Sequence, residues 1–265
     1  MLTGRVTYPC NGMDRPAFLA RPDDSRRPAV IVIHEIFGVT PHIEDVCRRF
    51  AGEGYVAMAP DLFALGGRPV TNEEMEAAIR FTQSLPPELR RDAAAAQARL
   101  GDLPEAQREP VAKGLHWLRN RDMNRYARDL EPAVEWLAAQ SYVRPDRIAS
   151  VGFCFGGGLS ALLAASGAPL AACVIFYGSN PPLDRVPNIR GPVLGLYGGE
   201  DRGITDKVPE FAEAMNRAGK SFEHHVYSGA PHAFFNDSRS SVYRQEAAED
   251  AWRRVLAFLG STLQG

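Results

Sequence analysis

The stretch Gly152-Phe153-Cys154-Phe155-Gly156-Gly157 decides the fold of this chain. It follows a run at 147–151 that favours a strand, and it precedes a run of small residues at 158–165 that favours a helix. Its glycines permit the sharp turn that joins such a strand to such a helix. The cysteine at the turn would then lie at a helix N-terminus, whose partial positive charge favours the thiolate over the thiol.

Two other interpretations fit this stretch when it is taken alone. A glycine-rich turn after a strand also forms the phosphate-binding loop of doubly wound folds, and a tight turn also holds a buried structural cysteine. The dinucleotide pattern Gly-x-Gly-x-x-Gly does not match, because Cys154 takes the place of the second glycine. The motif by itself therefore leaves a nucleophilic and a structural cysteine open.

The composition excludes several classes of protein. A length of 265 residues suits one large α/β domain or two small ones, and 45% hydrophobic with 23% charged residues is typical of a soluble globular protein. A net charge of −2 without a long basic run argues against binding to nucleic acid or to a membrane surface. The sequence shows neither a signal-peptide pattern nor an apolar stretch long enough to span a bilayer.

The cysteine pattern favours a reducing compartment. The four cysteines, at 10, 47, 154 and 173, show no paired spacing, so we expect a cytoplasmic protein without disulfides. Neither Cys-x-x-Cys nor His-Glu-x-x-His occurs, so the sequence carries no signal of a metal site. We expect a monomer or a homodimer that acts on a small molecule.

Apolar runs alternate with helical patterns along most of the chain. Predicted strands lie at 29–34, 55–59, 147–153, 171–177, 192–197 and 222–227. Predicted helices lie at 41–52, 130–139, directly after Cys154, at 208–218 and at 242–259. Residues 4–20 contain the turn signal Asn11-Gly12 and are predicted to form an antiparallel hairpin at an edge. This alternation predicts a doubly wound, mainly parallel sheet with right-handed crossovers.

Residues 71–128 interrupt the alternation and are predicted to be a helical insertion. They show no strand signal but three helical stretches, at 72–83, 87–100 and 105–120. Residues 80–128 carry ten basic and six acidic side chains, a net charge of +4 in a chain of net charge −2. The insertion is either a solvated helical segment or a cap over the active site whose positive field attracts anionic substrates.

Two later loops supply the partners that a nucleophilic cysteine requires. Asp201 follows the predicted strand at 192–197, and His232 follows the strand at 222–227. The order nucleophile, acid, histidine is that of α/β-hydrolases, whose nucleophile lies in a Gly-x-nucleophile-x-Gly elbow. Each candidate lies past the carboxyl end of a strand, where open α/β sheets build their sites. Glu200 and Asp206 remain alternative acids.

The loop 34–38 after the first central strand is predicted to complete the site. In this fold it supplies one backbone amide of the oxyanion hole, here that of Ile36, and the residue after the nucleophile, Phe155, supplies the other. Glu35 is unusual there because a carboxylate repels the charge that develops in such a hole. It is either a solvent-facing loop residue or a local partner of the Cys154 thiol.

These residues resemble the dienelactone hydrolase family, the carboxymethylenebutenolidases of the α/β-hydrolase fold, over nearly the whole chain. The matching motifs are His-Glu-Ile-Phe-Gly at 34–38, Ala-Pro-Asp-Leu-Phe at 59–63, Asp-Leu-Glu-Pro-Ala at 129–133, Gly-Phe-Cys-Phe-Gly-Gly at 152–157, Gly-Gly-Glu-Asp at 198–201 and Pro-His-Ala-Phe at 231–234. The resemblance implies a triad of Cys154, Asp201 and His232. It also implies that Glu35 contacts the resting thiol and releases it when substrate binds, and that no cofactor is needed.

The chain departs from the family where the substrate carboxylate is held. Family members use two arginines, one of them four residues after the catalytic histidine, where this chain has Asn236, with Arg239 three residues further on. The other arginine aligns with Val111, which lies between Arg108 and Lys113. We therefore treat four polar residues as candidates for binding substrate: Arg108, Lys113, Asn236 and Arg239.

The sequence predicts one α/β-hydrolase domain, residues 1–265, that hydrolyses carboxylic ester or lactone bonds through an acyl-thioester. Two alternatives stay open. A binding or redox-sensing relative would have Cys154 oxidised rather than acylated. An acyltransferase would use the same triad with an alcohol or thiol acceptor.

Overall fold

A computed structural model of the chain describes residues 1–86, 89 and 93–264. The chain divides into two compact units, one made of residues 1–62 with 123–265 and the other of residues 63–122. The predicted helix at 87–100 lies partly outside the described residues, as do Arg90 and Arg91 of the charge count.

The larger unit is built on an eight-stranded, mainly parallel sheet. Its strands are β1 (Leu2–Cys10), β2 (Met13–Arg21), β3 (Arg27–Ile33), β4 (Val56–Pro60), β5 (Val143–Phe153), β6 (Ala172–Phe176), β7 (Val193–Gly198) and β8 (Phe222–Tyr227). Their order in the sheet is β1-β2-β4-β3-β5-β6-β7-β8, with β3 to β8 parallel. This order confirms the predicted α/β-hydrolase sheet, and all predicted strands are present.

The antiparallel part of the sheet is the predicted edge hairpin. β1 pairs with β2, and β2 pairs with β4 in antiparallel register. Asn11 and Gly12 connect the two strands with φ angles of 53° and 77°, the left-handed conformation that a two-residue hairpin turn requires. The hairpin leaves β1 at one edge of the sheet and β8 at the other.

The helices of the larger unit cover the faces of the sheet. They are α1 (Pro41–Gly52), α5 (Met123–Arg128), α6 (Glu131–Ala138), α7 (Phe155–Ala165), α8 (Arg202–Thr205), α9 (Val208–Arg217) and α10 (Gln245–Leu263). A 3₁₀ segment lies at Leu183–Asn188. α1 begins at Pro41 as predicted, although the Thr40 side chain makes no capping hydrogen bond. α10 begins three residues later than predicted, since the amides of Val242 and Tyr243 bond to the carbonyl of Arg239 in a preceding turn.

The smaller unit is helical and has its own apolar cluster. It contains α2 (Asn72–Ser84), α3 (Ala93–Ala98), a 3₁₀ turn at Arg99–Asp102 and α4 (Glu105–Asn120). The Thr71 hydroxyl accepts from the Glu74 amide and the Glu74 carboxylate accepts from the Thr71 amide, so a capping box starts α2. The predicted insertion extended to 128, but this unit ends at Asp122, because α5 packs against α7 in the larger unit.

Candidate active site

The backbone holds Cys154 at a strained turn between β5 and α7. Its φ and ψ angles are 57° and −112°, a combination that non-glycine residues rarely adopt and that is retained at functional sites. A Cβ atom at Gly152 would lie 1.9 Å from the carbonyl oxygen of Gly156, and one at Gly156 would lie 2.1 Å from that of Ile33. Glycine at these positions is therefore what allows α7 to start directly beneath the turn.

Three strands bring the predicted catalytic residues together. Cys154 follows β5, Asp201 follows β7 and His232 follows β8, all at the carboxyl edge of the sheet. His232 Nδ1 donates to Asp201 Oδ2 at 2.5 Å, and its Nε2 lies 3.0 Å from Cys154 Sγ. Asp201, rather than the exposed Glu200 or Asp206, bonds to the histidine.

The surroundings of His232 favour its protonated form. Burial alone would lower the pKa of the imidazole, but the charge of Cys154 and the hydrogen bonds with Asp201 and Cys154 outweigh it and raise the pKa well above its usual value. A protonated imidazole next to the sulfur stabilises a thiolate at Cys154.

The other three cysteines are buried and lie outside this site. Cys10, Cys47 and Cys173 are at most 2% exposed, whereas Cys154 is partly exposed. Burial raises the pKa of the Cys173 thiol to about 11 and that of Cys47 further still. Reactivity of a thiol depends on exposure and on thiolate content, so Cys154 is the one set up to react.

The loop after β3 is fixed from two sides by His34. The imidazole Nδ1 donates to the carbonyl of Glu35 at 2.6 Å, and Nε2 accepts from the amide of Leu62 at 3.2 Å. This anchors the segment that carries Ile36, which is 8% exposed. Phe155 is the first residue of α7, so its amide lies in the first turn of that helix beside Cys154.

Glu35 is buried and bonds to Asn236 rather than to the thiol. Its Oε2 accepts from Asn236 Nδ2 at 2.6 Å, while Oε1 is buried and has no hydrogen-bond partner among the described residues. In the same part of the chain, no hydrogen bond joins Glu35 to Cys154, whose sulfur faces His232. The contact between Glu35 and the resting thiol that the resemblance implies is therefore not the arrangement in this structure.

Tyr177 is a site residue that the sequence argument missed. It directly follows β6, has a φ angle of 38°, and its ring packs edge-on against the imidazole of His232 at 5.2 Å. Burial, together with the charges of Glu35 and Cys154, raises the pKa of its hydroxyl well above the usual value, so the phenol stays neutral. Its place at the carboxyl end of the predicted strand 171–177 was the one available signal, because such ends line sites in α/β folds.

The four candidate substrate-binding residues have different surroundings. Arg108 donates to the carbonyls of Leu103 and Gly101, and Lys113 forms ion pairs with Glu109 and Glu74, all within the smaller unit. The side-chain amide of Asn236 donates to Glu35 Oε2. Arg239 is half-buried, lies over the ring of Phe37 at 5.5 Å, and forms no hydrogen bond or ion pair through its side chain with the described residues.

A second buried histidine pairs with an aspartate close to the site. His42 of α1 donates through Nδ1 to Asp237 Oδ1 at 3.0 Å, and Arg49 of the same helix also bonds to Asp237. The sequence offered no partner for His42, because Asp237 lies 195 residues further along the chain. The pair fastens the segment after His232 to α1.

Comparison with known proteins identifies the family. The model described as "Dienelactone hydrolase family" matches residues 16–263. This chain belongs to the dienelactone hydrolase family. Membership confirms the resemblance drawn from the motifs and makes the protein a hydrolase of that family.

Relatives of this dienelactone hydrolase family member cover almost its full length. A protein named "Putative carboxymethylenebutenolidase" from Saccharolobus solfataricus is 40% identical over 255 residues, covering 96% of each chain. The crystal structure of a "Putative Dienelactone Hydrolase" from Klebsiella pneumoniae superposes with a TM-score of 0.69 at 32% identity, covering 98% of each chain. A dienelactone hydrolase-like promiscuous phosphotriesterase from metagenomic libraries shares the fold, with a TM-score of 0.72 at 22% identity.

Two further kinds of structural feature are absent from the part of the chain that the structure describes. Within the described ranges, helices that combine the length and apolarity needed to cross a bilayer are lacking. The same residues contain no cluster of three or more histidine, cysteine, aspartate or glutamate side chains arranged to hold a metal ion.

Proposed function

We propose that this protein hydrolyses carboxylic ester or lactone bonds with Cys154 as nucleophile, His232 as general base and Asp201 as the residue that orients the histidine. One observation carries the proposal: the imidazole lies 3.0 Å from the sulfur and 2.5 Å from the carboxylate. A nucleophile in reach of a base that a third group holds is the arrangement covalent catalysis requires. Carboxymethylenebutenolidase activity is the specific form that the names of the relatives favour.

Each step of the proposed reaction uses a group of this chain. The Cys154 thiolate attacks the carbonyl carbon, and the amides of Ile36 and Phe155 stabilise the oxyanion, by about 3–4 kcal/mol per donor. The bond to the leaving oxygen breaks, and protonated His232 gives that oxygen its proton. Water then loses a proton to His232 and attacks the thioester, which releases the acid and restores the thiolate.

The nucleophile also restricts the substrate. A thiolate is a good leaving group, so the tetrahedral intermediate returns to substrate unless the alcohol leaves easily. Strained or activated esters, such as enol-lactones, meet that condition, whereas plain amides do not. Arg239 is our proposed binding residue for a substrate carboxylate, since its guanidinium forms neither a hydrogen bond nor an ion pair with the described residues.

Substitution of Cys154 tests the chemistry. We expect Cys154→Ala to abolish hydrolysis of p-nitrophenyl acetate, while Cys47→Ala, which removes a buried thiol, keeps it. Intact mass spectrometry after brief ester treatment should show one acetyl group on the native protein and none on Cys154→Ala. Hydrolysis by Cys154→Ala at the native rate would end the proposal. Oxidation of Cys154 without any acyl adduct would instead favour the redox-sensing alternative.

Substitution of Arg239 tests the anion preference. We expect Arg239→Gln to raise KM for a p-nitrophenyl hemisuccinate roughly tenfold, the loss of one charge-assisted hydrogen bond, and to leave KM for the neutral butyrate ester unchanged. The variant with Arg108→Gln and Lys113→Gln tests the competing prediction, in which the positive field of residues 71–128 attracts the anion. A rise in KM confined to that double variant would move the anion site to this segment.

A further inference from the structure

One buried histidine of the larger unit takes no part in the proposed chemistry. His42, the second residue of α1, is 5% exposed, and its Nδ1 donates to Asp237 Oδ1 at 3.0 Å. Its Nε2 is also buried and has no hydrogen-bond partner among the described residues. A buried nitrogen without a partner costs free energy, so an apolar ring would fill this place more favourably than an imidazole. The hydrogen bond to Asp237 is therefore the property of His42 that requires an explanation.

The imidazole of His42 contacts both segments that carry the reacting groups. On one side it packs edge-on against Phe153, the residue directly before Cys154, with 6.5 Å between the ring centroids. On the other side it packs edge-on at 6.2 Å against Phe235, three residues after His232. Phe153 and Phe235 also stack on each other at 5.5 Å, and both are at most 2% exposed. One ring therefore links the segment of the nucleophile to the segment of the base.

The backbone directly after His232 has a conformation that needs support. Ala233 has a φ angle of 64°, which residues other than glycine adopt at a cost and keep only where their surroundings hold them. The amide of Asn236 closes the turn by donating to the carbonyl of Ala233 at 3.0 Å. Asp237 comes next, so its bond to His42 joins the end of this turn to α1. The bond thereby restrains the loop that presents the base.

Asp237 is a strong acceptor for this bond because it keeps its charge. Partial burial acts to raise the pKa of its carboxyl, but the hydrogen bonds with Arg49 and His42 and the charge of Arg49 outweigh burial and lower that pKa below its usual value. Arg49, whose side chain is 37% exposed, binds the second oxygen. Of these two residues of α1, His42 is the one whose ring packs on Phe153.

We propose that His42 is a positioning residue that holds His232 at bonding distance from Cys154. Its ring fixes the nucleophile side through Phe153, and its hydrogen bond fixes the histidine side through Asp237. The separation that results is the 3.0 Å between the imidazole Nε2 and the sulfur. A longer separation weakens the attraction between imidazolium and thiolate and removes the bond through which the proton moves. The inference rests on the proposed roles of Cys154 and His232, but its test does not require turnover.

Alkylation of Cys154 by iodoacetamide measures its pairing with His232 in the absence of substrate. The reagent reacts with the thiolate, and the other three cysteines are at most 2% exposed, so the mass gain reports one site. The rate between about pH 5.5 and 9 follows the thiolate population, which a nearby imidazolium raises at the acid end of that range. The titratable groups around the pair, Asp201, Tyr177 and Glu35, are the same in every variant compared below.

The His42→Phe variant removes the donor and keeps a ring between its two aromatic neighbours. We expect alkylation at about pH 6.5 to slow roughly tenfold, the effect of a one-unit rise in the pKa of the thiol. The value of kcat for p-nitrophenyl acetate should fall by a similar factor, with KM changed less than about twofold. Urea denaturation should show no loss of stability, because the unpartnered nitrogen is removed as well.

The His42→Asn variant makes the opposite change. The amide nitrogen of asparagine lies as many bonds from the backbone as Nδ1 of histidine, so the donor to Asp237 is kept while the ring is lost. We expect alkylation at more than about half the native rate together with a lower stability, because the contacts with Phe153 and Phe235 are gone. A less stable variant that reacts well and a stable variant that reacts slowly separate positioning from a merely structural role.

Two further variants test the bond from the side of Asp237. Asp237→Ala removes the acceptor and should slow alkylation as much as His42→Phe, with no further slowing in the double variant, because both changes break one hydrogen bond. The matched control is Arg49→Gln, which removes the other side chain bonded to Asp237 and leaves His42 in place. We expect it to alkylate at the native rate.

Three outcomes overturn the inference. Alkylation of His42→Phe at the native rate means that the hydrogen bond does not set the pairing. A His42→Asn variant no faster than His42→Phe means that the ring acts through the fold alone. Slowing by Arg49→Gln as large as that by His42→Phe means that any anchor of Asp237 suffices. Should His42→Phe fail to fold, Asp237→Ala breaks the same bond at a partly exposed residue and must slow alkylation.

Failure of the proposed function gives a different result. A native protein whose Cys154 is alkylated rapidly at about pH 6.5, but which forms no acyl adduct and hydrolyses no ester, would reject the proposed function. The comparison of alkylation rates among the variants would still decide the role of His42.

Discussion

The larger unit contains two buried clusters with the same three kinds of side chain, and only one of them lies at the site. Next to the hairpin, Asp129 lies with Tyr8 and Cys10, and at the carboxyl edge of the sheet Glu35 lies with Tyr177 and Cys154. Both carboxylates are almost equally buried, at 3% and 4% exposure. The clusters differ in how the carboxylate is satisfied.

The hairpin cluster is held by a permanent charge. Asp129 Oδ2 bonds to Arg15 at 3.1 Å, and its Oδ1 accepts from Asn11 at 2.7 Å, so both oxygens are engaged. In the site cluster one oxygen of Glu35 accepts from an amide and the other has no hydrogen-bond partner among the described residues. The cation bonded to this cluster, at Cys154, is the titratable His232. The cation of the hairpin cluster, Arg15, keeps its proton at all ordinary pH values. The cation bonded at the site, His232, has to give up and take back a proton in the proposed reaction.

The largest expected effect is that of Asp129→Asn. The change leaves the buried Arg15 guanidinium without its counter-ion, so we expect a loss of about 3–5 kcal/mol in unfolding free energy. Urea denaturation measures it, and esterase activity per folded molecule should be unchanged. A cost below about 1 kcal/mol would mean that the ion pair contributes little and that the two clusters do not differ as described.

The next effect is a dependence on pH that only the site cluster should show. The pKa of His232 is raised in the folded protein, so its contribution to stability is fully present below the unfolded value of about 6.5 and is lost as pH rises through the folded value. The difference in unfolding free energy between native protein and His232→Gln should therefore shrink as pH rises above about 6.5. The cost of Asp129→Asn should stay constant over that range, because arginine does not titrate. Parallel profiles would contradict the comparison.

The carboxylate-to-amide change at the site, Glu35→Gln, should lower the unfolding free energy far less than Asp129→Asn does. Glu35→Gln keeps an oxygen for Asn236 and removes a charge that has no bonded cation among the described residues. We therefore expect stability to change by less than about 1 kcal/mol, or to rise. Urea denaturation of Glu35→Gln and Asp129→Asn under the same conditions gives the matched comparison. A loss as large as that of Asp129→Asn would show that Glu35 is structural.

The smallest effect concerns the two tyrosines, whose hydroxyls lack hydrogen-bond partners among the described residues. Removing an unsatisfied buried polar group is close to neutral, so Tyr8→Phe and Tyr177→Phe should each change stability by less than about 0.5 kcal/mol. Only Tyr177→Phe should alter the pH dependence of Cys154 alkylation by iodoacetamide, since Tyr177 packs against His232, the histidine bonded to that sulfur, and Tyr8 lies in the hairpin cluster. Identical profiles for both variants would remove Tyr177 from the site.

Local signals in the sequence were sufficient for most elements. α1 and α4 begin and end at the predicted residues, because proline at a first helical position and helical periodicity act within a few residues. β8 also has the predicted bounds. The start of α10 was wrong by three residues, since the turn before it depends on Phe234, whose carbonyl accepts from the amide of Arg244. The compact helical unit ends at Asp122, six residues before the predicted end of the insertion, because α5 packs on α7 of the larger unit.

Contacts across long stretches of chain were not available to that reasoning. Asn236 was assigned to substrate because of its place after His232, yet its partner is Glu35, 201 residues away. Arg108 and Lys113 were chosen because they flank Val111, the position aligned with the family's second arginine, and the structure shows both side chains bonded within the smaller unit. Neither the periodicity nor the composition of a sequence indicates which buried polar groups form hydrogen bonds with one another.

The sequence by itself determined the sheet, the elbow and the order of Cys154, Asp201 and His232, because each depends on a local pattern that parallel strands then bring to one edge. Only the tertiary structure decided where the Glu35 carboxylate points, which oxygen is left unbonded and that His232 rather than Glu35 faces the thiol. Those outcomes depend on the burial of several polar groups in one small volume, where each hydrogen bond excludes another.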